Sequence, residues 1–169
     1  MNQSPTIAEL LDLLEKGERQ TERFYLSLAE MFLHQPDAAE VWWEMASGEA
    51  HHLWLLEKAR EAFTPQQLSR PADPGMVEDA RRRAGIDVER LLSRIETLED
   101  AYQTAHEVES LEFDAILEPI MLDFFPNDVR NKLARSQLEH HTKNLDRLRT
   151  AEWRRSVPAR KTFQKGEAR

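Results

Sequence analysis

Leu11, Leu14, Glu18, Thr21, Tyr25, Leu28 and Phe32 recur at alternating spacings of three and four, the repeat of one face of an α-helix. The spacing predicts helix A from about Ser4 or Pro5 to His34, with Ser4 placed to cap it and Pro5 suited to a first turn. Gln35-Pro36-Asp37 interrupts the pattern, and Asp37 is positioned to cap the next helix. Helix B then runs from about Ala38 to Phe63, with a seam of Met45, Glu49, His52, Leu56 and Ala59. In both helices ionisable residues sit where a plain bundle would place leucine.

Three prolines and two glycines between Thr64 and Gly85 predict a long crossover with a helical turn in it. Asp87 to Glu118 is again helical in pattern, read as a short lead-in followed by helix C. Pro119 and Pro126 end it, and Asn127 or Asp128 opens helix D, which continues to about Trp153 with the stripe Ala134, Leu138, His141, Leu145 and Leu148. The expected fold is all-α: a four-helix bundle over residues 1–155, made of two helical hairpins joined by the long crossover. Residues 156–169 are expected to form a basic, solvated tail.

One shift of 89 residues aligns the two hairpins. It carries Glu18 onto Glu107, Phe24 onto Phe113, Leu28 onto Leu117, His51-His52 onto His140-His141 and Leu56 onto Leu145. The second copy differs at one chemically important place, because Glu49 falls on Leu138.

Composition agrees with helices: glycine is scarce at five residues, and leucine, alanine, glutamate and arginine are abundant. Charged residues are interleaved with apolar ones rather than blocked, which separates this chain from a disordered one. Net charge is −8 overall and +4 over residues 151–169, leaving −12 on the remainder. An acidic body argues against nucleic acid as a partner. Arg154, Arg155, Arg160, Lys161, Lys165 and Arg169 are read as solvated, with an acidic partner as the less favoured role. No apolar run reaches membrane-spanning length and the first residues lack the pattern of a signal peptide, so a soluble cytoplasmic protein is expected. With no cysteine, any metal must be held by oxygen and nitrogen.

The recurring carboxylates and imidazoles carry the chemistry. Glu49 and His52, three residues apart, share one helix face and can point at one atom. Their burial is costly unless a cation compensates it. Dimetal bundles meet that need with one Glu from each of two helices and Glu-x-x-His from each of the other two. Here Glu18 and Glu107 would be the single carboxylates, Glu49 with His52 the first pair, and His141 the remnant of the second.

The segments Glu18 to Tyr25, Gly48 to His52 and Glu107 to Phe113 resemble the rubrerythrin-like branch of the ferritin-like superfamily, over about residues 5 to 155. The resemblance implies a four-helix bundle, often a homodimer, binding two irons, with manganese or zinc as alternatives. It further implies oxidase or peroxidase chemistry on oxygen or peroxide, or oxidation of ferrous iron. Rubrerythrins proper carry a cysteine-rich electron-transfer module that this chain lacks, so a separate electron-donor protein would be needed.

Several alternatives stay open in the sequence. The apolar stripe of helix C favours Glu109 over Glu107, and only one of the two can face inward because they lie about 200° apart. Tyr25 is expected to fill core volume with its hydroxyl on a carboxylate. Trp42 and Trp43 cannot both face inward, and the outer one suits a dimer contact or the underside of the crossover. The competing functional reading is a bundle without dimetal catalysis, a binding or scaffold protein in which Glu18, Glu49, His52 and His141 persist as a polar network holding one zinc or none.

Overall fold

A computed structural model describes residues 4–110 and 143–161 of the chain. Among these residues the protein is all-α, with only two isolated β-bridges, Thr6 with Pro71 and Thr97 with Pro158. Helix α1 spans Ile7–Met31 and α2 spans Pro36–Ala62. They run antiparallel. Arg60, near the end of α2, bonds Asp12 and Glu15 near the start of α1, while Tyr25 stacks on Trp42 at the opposite end of the pair.

Local chemistry sets the helix ends. Thr6, not Ser4, caps α1: its hydroxyl accepts from the Glu9 N–H while the Glu9 carboxylate accepts from the Thr6 N–H. Pro36 begins α2, where a missing N–H costs nothing, so Asp37 lies inside the first turn rather than at the cap. There its charge favours the positive end of the helix dipole.

The crossover holds more structure than its prolines suggest. Pro65 and Pro74 both occupy first-turn positions, so they start helices instead of interrupting one. Helix α3 is Pro65–Leu68, and α4, capped by Asp73, runs through Pro74–Ala84 against α1. Val77 and Ala80 of α4 are buried with Leu10, Leu11, Leu14, Leu55, Leu56 and Ala59. That spacing of three matches helix geometry, and it fixes which α4 side chains turn toward the α1–α2 pair. The chain continues through α5, Val88–Ser93, and α6, Leu98–Glu109.

Residues 143–146 are helical, a turn follows, and a separate helix α7 spans Ala151–Ser156, so the continuous helix expected to Trp153 ends earlier. Arg154 is not solvated. Its Nε donates to Glu99 at 2.6 Å, Nη1 donates to the Leu148 carbonyl at 3.2 Å, and the guanidinium lies over the Tyr102 ring. Beyond it, Val157 is buried, the Leu98 N–H donates to the Val157 carbonyl, and the Arg160 N–H donates to the Met31 carbonyl. The expected tail is therefore docked as far as these residues.

Apolar side chains collect in two clusters. The larger joins the C-terminal half of α1 to the N-terminal half of α2, α5 and α6, with Leu145, Leu148 and Val157. The smaller joins the other ends of α1 and α2 to α4. Between them α1 and α2 bury polar residues, Glu18, Thr21, Glu49 and His52. No helix among the described residues is long and apolar enough to cross a membrane.

Val77 is 1 % exposed and anchors α4. Val77→Ala removes two methyl groups and leaves a void, an expected loss of about 2 kcal/mol. Urea denaturation should show a lower midpoint with an unchanged slope, and an unaltered midpoint would mean that α4 is not held by this contact.

Candidate metal centre

Glu18 lies one turn beyond Leu14 on the inward stripe of α1, and the antiparallel neighbour α2 brings Glu49 and His52 opposite it. Both carboxylates are completely buried. His52 Nδ1 lies 3.0 Å from Glu18 Oε2 and 3.3 Å from Glu49 Oε2. One ligand atom from each of the three residues lies within 4.8 Å of the other two, so the group could hold a metal ion. Thr21, also buried, turns its hydroxyl back to the Gly17 carbonyl at 3.1 Å and is satisfied within its own helix.

A fourth group enters from an unexpected direction. Arg83, in the last turn of α4, is 3 % exposed and extends to the same carboxylates. Its Nε is 3.3 Å from Glu18 Oε1 and its Nη2 is 3.4 Å from Glu49 Oε2. The approach depends on Gly17. A Cβ there would meet Arg83 Cγ at 3.0 Å and its Cβ and Cδ at 3.4 Å. A mid-helix glycine costs about 0.5–1 kcal/mol relative to alanine. At this position the missing side chain opens the path for an arginine stem.

The electrostatics follow from burial and pairing. Burial raises the Glu18 carboxyl, but the Arg83 charge and hydrogen bonds with Glu49 and His52 outweigh it and hold the group below the ordinary carboxylate range. Glu49 is pushed up by burial and by the Glu18 charge beside it. Burial alone would favour a neutral His52, yet its contacts with Glu18 and Glu49 lift it well above the ordinary imidazole value. Burial likewise opposes the Arg83 charge, and Glu18, Glu49 and Glu109 more than restore it. Two cationic side chains thus face Glu18 and Glu49 and offset part of a desolvation cost of several kcal/mol per ion.

Glu107 does not join this group. Ala101, Ala105 and Val108 form the buried side of α6, which turns Glu107 out to solvent and leaves Glu109 half-buried on the inner edge. Glu109 accepts a hydrogen bond from the Tyr25 hydroxyl, and Tyr25 is held protonated by burial and by the Glu109 charge. The apolar stripe, not the 89-residue offset, identifies the inward carboxylate of this helix. His141, with His140 and Leu138, lies outside the described residues. His51 is exposed and stacks on Trp54. Trp42 is fully buried and Trp43 is 57 % exposed.

Arg83 is the site residue that the sequence pattern missed. It sits in a run of three arginines inside a presumptive loop, where the natural reading is a solvated cluster. The signal was the spacing Val77, Ala80 and Arg83, one buried helix face within the crossover. Comparison with protein-family models, with curated proteins and with solved structures gives no match.

Because folding raises the proton affinity of His52, the folded protein holds more protons than the unfolded chain above pH of about 6.5. The stability His52 contributes is therefore complete below that pH and lost as pH rises through its raised folded value. In EDTA, the urea midpoint is expected to fall on going from about pH 6.5 toward about pH 9, and His52→Leu should flatten the fall. An equal slope in both proteins would remove the imidazolium from the network.

Proposed function

We propose that this chain is a rubrerythrin-like, ferritin-like helical bundle that binds a divalent metal ion through Glu18, Glu49 and His52 and serves as a redox protein. The observation that carries this reading is the convergence of three buried ligand atoms from two helices within 4.8 Å. Metal–ligand bonds of about 2.0–2.2 Å set neighbouring oxygen and nitrogen atoms roughly 3.0–3.5 Å apart. The 3.0 and 3.3 Å separations about His52 Nδ1 fall in that range. These two separations suit an ion held between His52 and the carboxylates. Two carboxylates and one imidazole suit iron, manganese or zinc.

Bound iron would supply one-electron chemistry toward oxygen or peroxide, or be oxidised itself. The protein's own groups have narrower tasks. Glu18, Glu49 and His52 would hold the ion, with the two carboxylates neutralising its charge. Glu109 fixes the Tyr25 hydroxyl, and an apolar cluster lies on each side of the buried carboxylates. With no cysteine in the chain, electrons would come from a separate donor protein.

Arg83 favours a second reading, a bundle in which the network is structural. Its guanidinium reaches both carboxylates. Metal analysis decides between them. Protein loaded with Fe²⁺ under anaerobic conditions or with Mn²⁺, then desalted, is expected to retain ion, and Glu49→Ala to lose at least nine-tenths of it while remaining helical by circular dichroism. Retention by Glu49→Ala at the natural level would overturn the ligand assignment. Protein that retains no ion and whose melting is indifferent to EDTA would establish the structural reading.

A further inference from the structure

We propose that the outer face of α2 is a self-association surface, on which two copies of this chain pair through antiparallel α2 helices about a two-fold axis. Trp43 is 57 % exposed and Trp54 is 50 % exposed. At about 100° per residue, Trp43, Ser47, Ala50 and Trp54 fall within an arc of about 60° on α2, and all four are exposed. A stripe bounded by two exposed tryptophans is the kind of surface that marks an interaction site. His51 stacks on Trp54, which holds the indole in place before a partner arrives. Glu49 and His52 lie on the opposite, buried side of the same helix, so this surface is separate from the metal centre.

The order of the four residues selects the occupant. A two-fold contact requires that residue i meet residue j while j meets i. Large, small, small, large reads the same in both directions about the point between Gly48 and Glu49. An axis at that point sets Trp43 level with Trp54 of the second copy and Ser47 level with Ala50 of the second copy. The small central pair lets the helices approach, and the indoles close both ends. Charge follows the same symmetry. Glu40 and Lys58 flank the stripe on one side, each about 40° from its centre, with side chains 64 % and 42 % exposed. The axis stands perpendicular to the plane of the two helices and leaves each flank on its own side, so Glu40 comes within one residue of the level of Lys58 of the second copy, at both ends. Within one chain Glu40 accepts from Arg147 and Lys58 donates to Glu61, exposed pairs that hold these side chains only weakly. A parallel pairing would instead set Glu40 against Glu40 and Lys58 against Lys58.

The test is sedimentation velocity on the full chain over a wide range of concentration. A reversible dimer is expected. Replacing both indoles, Trp43→Ser with Trp54→Ser, should weaken association by at least about a hundredfold, because each substitution acts twice in a two-fold contact. Ala50→Glu, at the centre of the stripe, should weaken it as strongly, with helicity by circular dichroism unchanged. Register is read by cross-linking, since the chain has no cysteine of its own. Glu40→Cys and Lys58→Cys proteins mixed under oxidising conditions should form a covalent dimer, and either protein alone should not, because like positions then lie about 26 Å apart along the helices. A chain that stays monomeric at every concentration would overturn the proposal and leave this face to a different partner. A dimer as tight in Ala50→Glu and in the double tryptophan variant as in the natural chain would overturn it too. Cross-linking of Glu40→Cys alone as fast as in the mixture would overturn the antiparallel pairing. None of these outcomes depends on metal uptake by Glu18, Glu49 and His52.

Discussion

Two fully buried carboxylates facing each other across a helical hairpin must be given positive charge, and the form of that charge decides what this protein is. Glu18 and Glu49 lie where an apolar bundle would continue its leucine seam. Left alone, such a pair would share a proton or unfold the waist of the hairpin. Among the described residues, His52 and Arg83 answer the two carboxylates at 3.0–3.4 Å. Everything nearby serves it. Gly17 admits the arginine stem, Thr21 closes its own hydrogen bond, and α4 is pinned by Val77 and Ala80 so that its last turn reaches inward.

The position of the network matters as much as its composition. It separates two apolar clusters, one at each end of the α1–α2 pair, and both exclude water from it. Low local dielectric strengthens every pairing inside and makes any unpaired charge expensive. The same buried group of Glu18, Glu49 and His52 could hold a metal ion. The metal-binding and structural readings therefore share the same residues and differ only in occupancy.

The duplicated hairpin pattern is an incomplete guide to the centre. The 89-residue offset matches Glu18 with Glu107, yet α6 turns Glu107 to solvent and sets Glu109 against Tyr25. Helical phase explains the difference, because Ala101, Ala105 and Val108 define the buried side, and a residue one step before Val108 lies about 100° off it. Register relative to local apolar neighbours outranks register relative to a distant repeat. The crossover teaches a related lesson. Proline at a first-turn position opens a helix, and Pro65 and Pro74 both do so.

The chain itself, through its spacings of three and four, determined the helical class, the α1–α2 hairpin and the inward stripe that carries Glu18, Glu49 and His52. Those are local properties, since periodicity and helix geometry suffice to put side chains on one face. Only tertiary structure decided that Arg83 is buried and that Arg154 and the segment after it dock instead of trailing in solvent. The physical reason is common to both. A charged side chain looks solvated in a linear sequence, and whether its burial is tolerable depends on opposite charges supplied by residues such as Glu18, Glu49 and Glu99, which only the folded chain brings within reach.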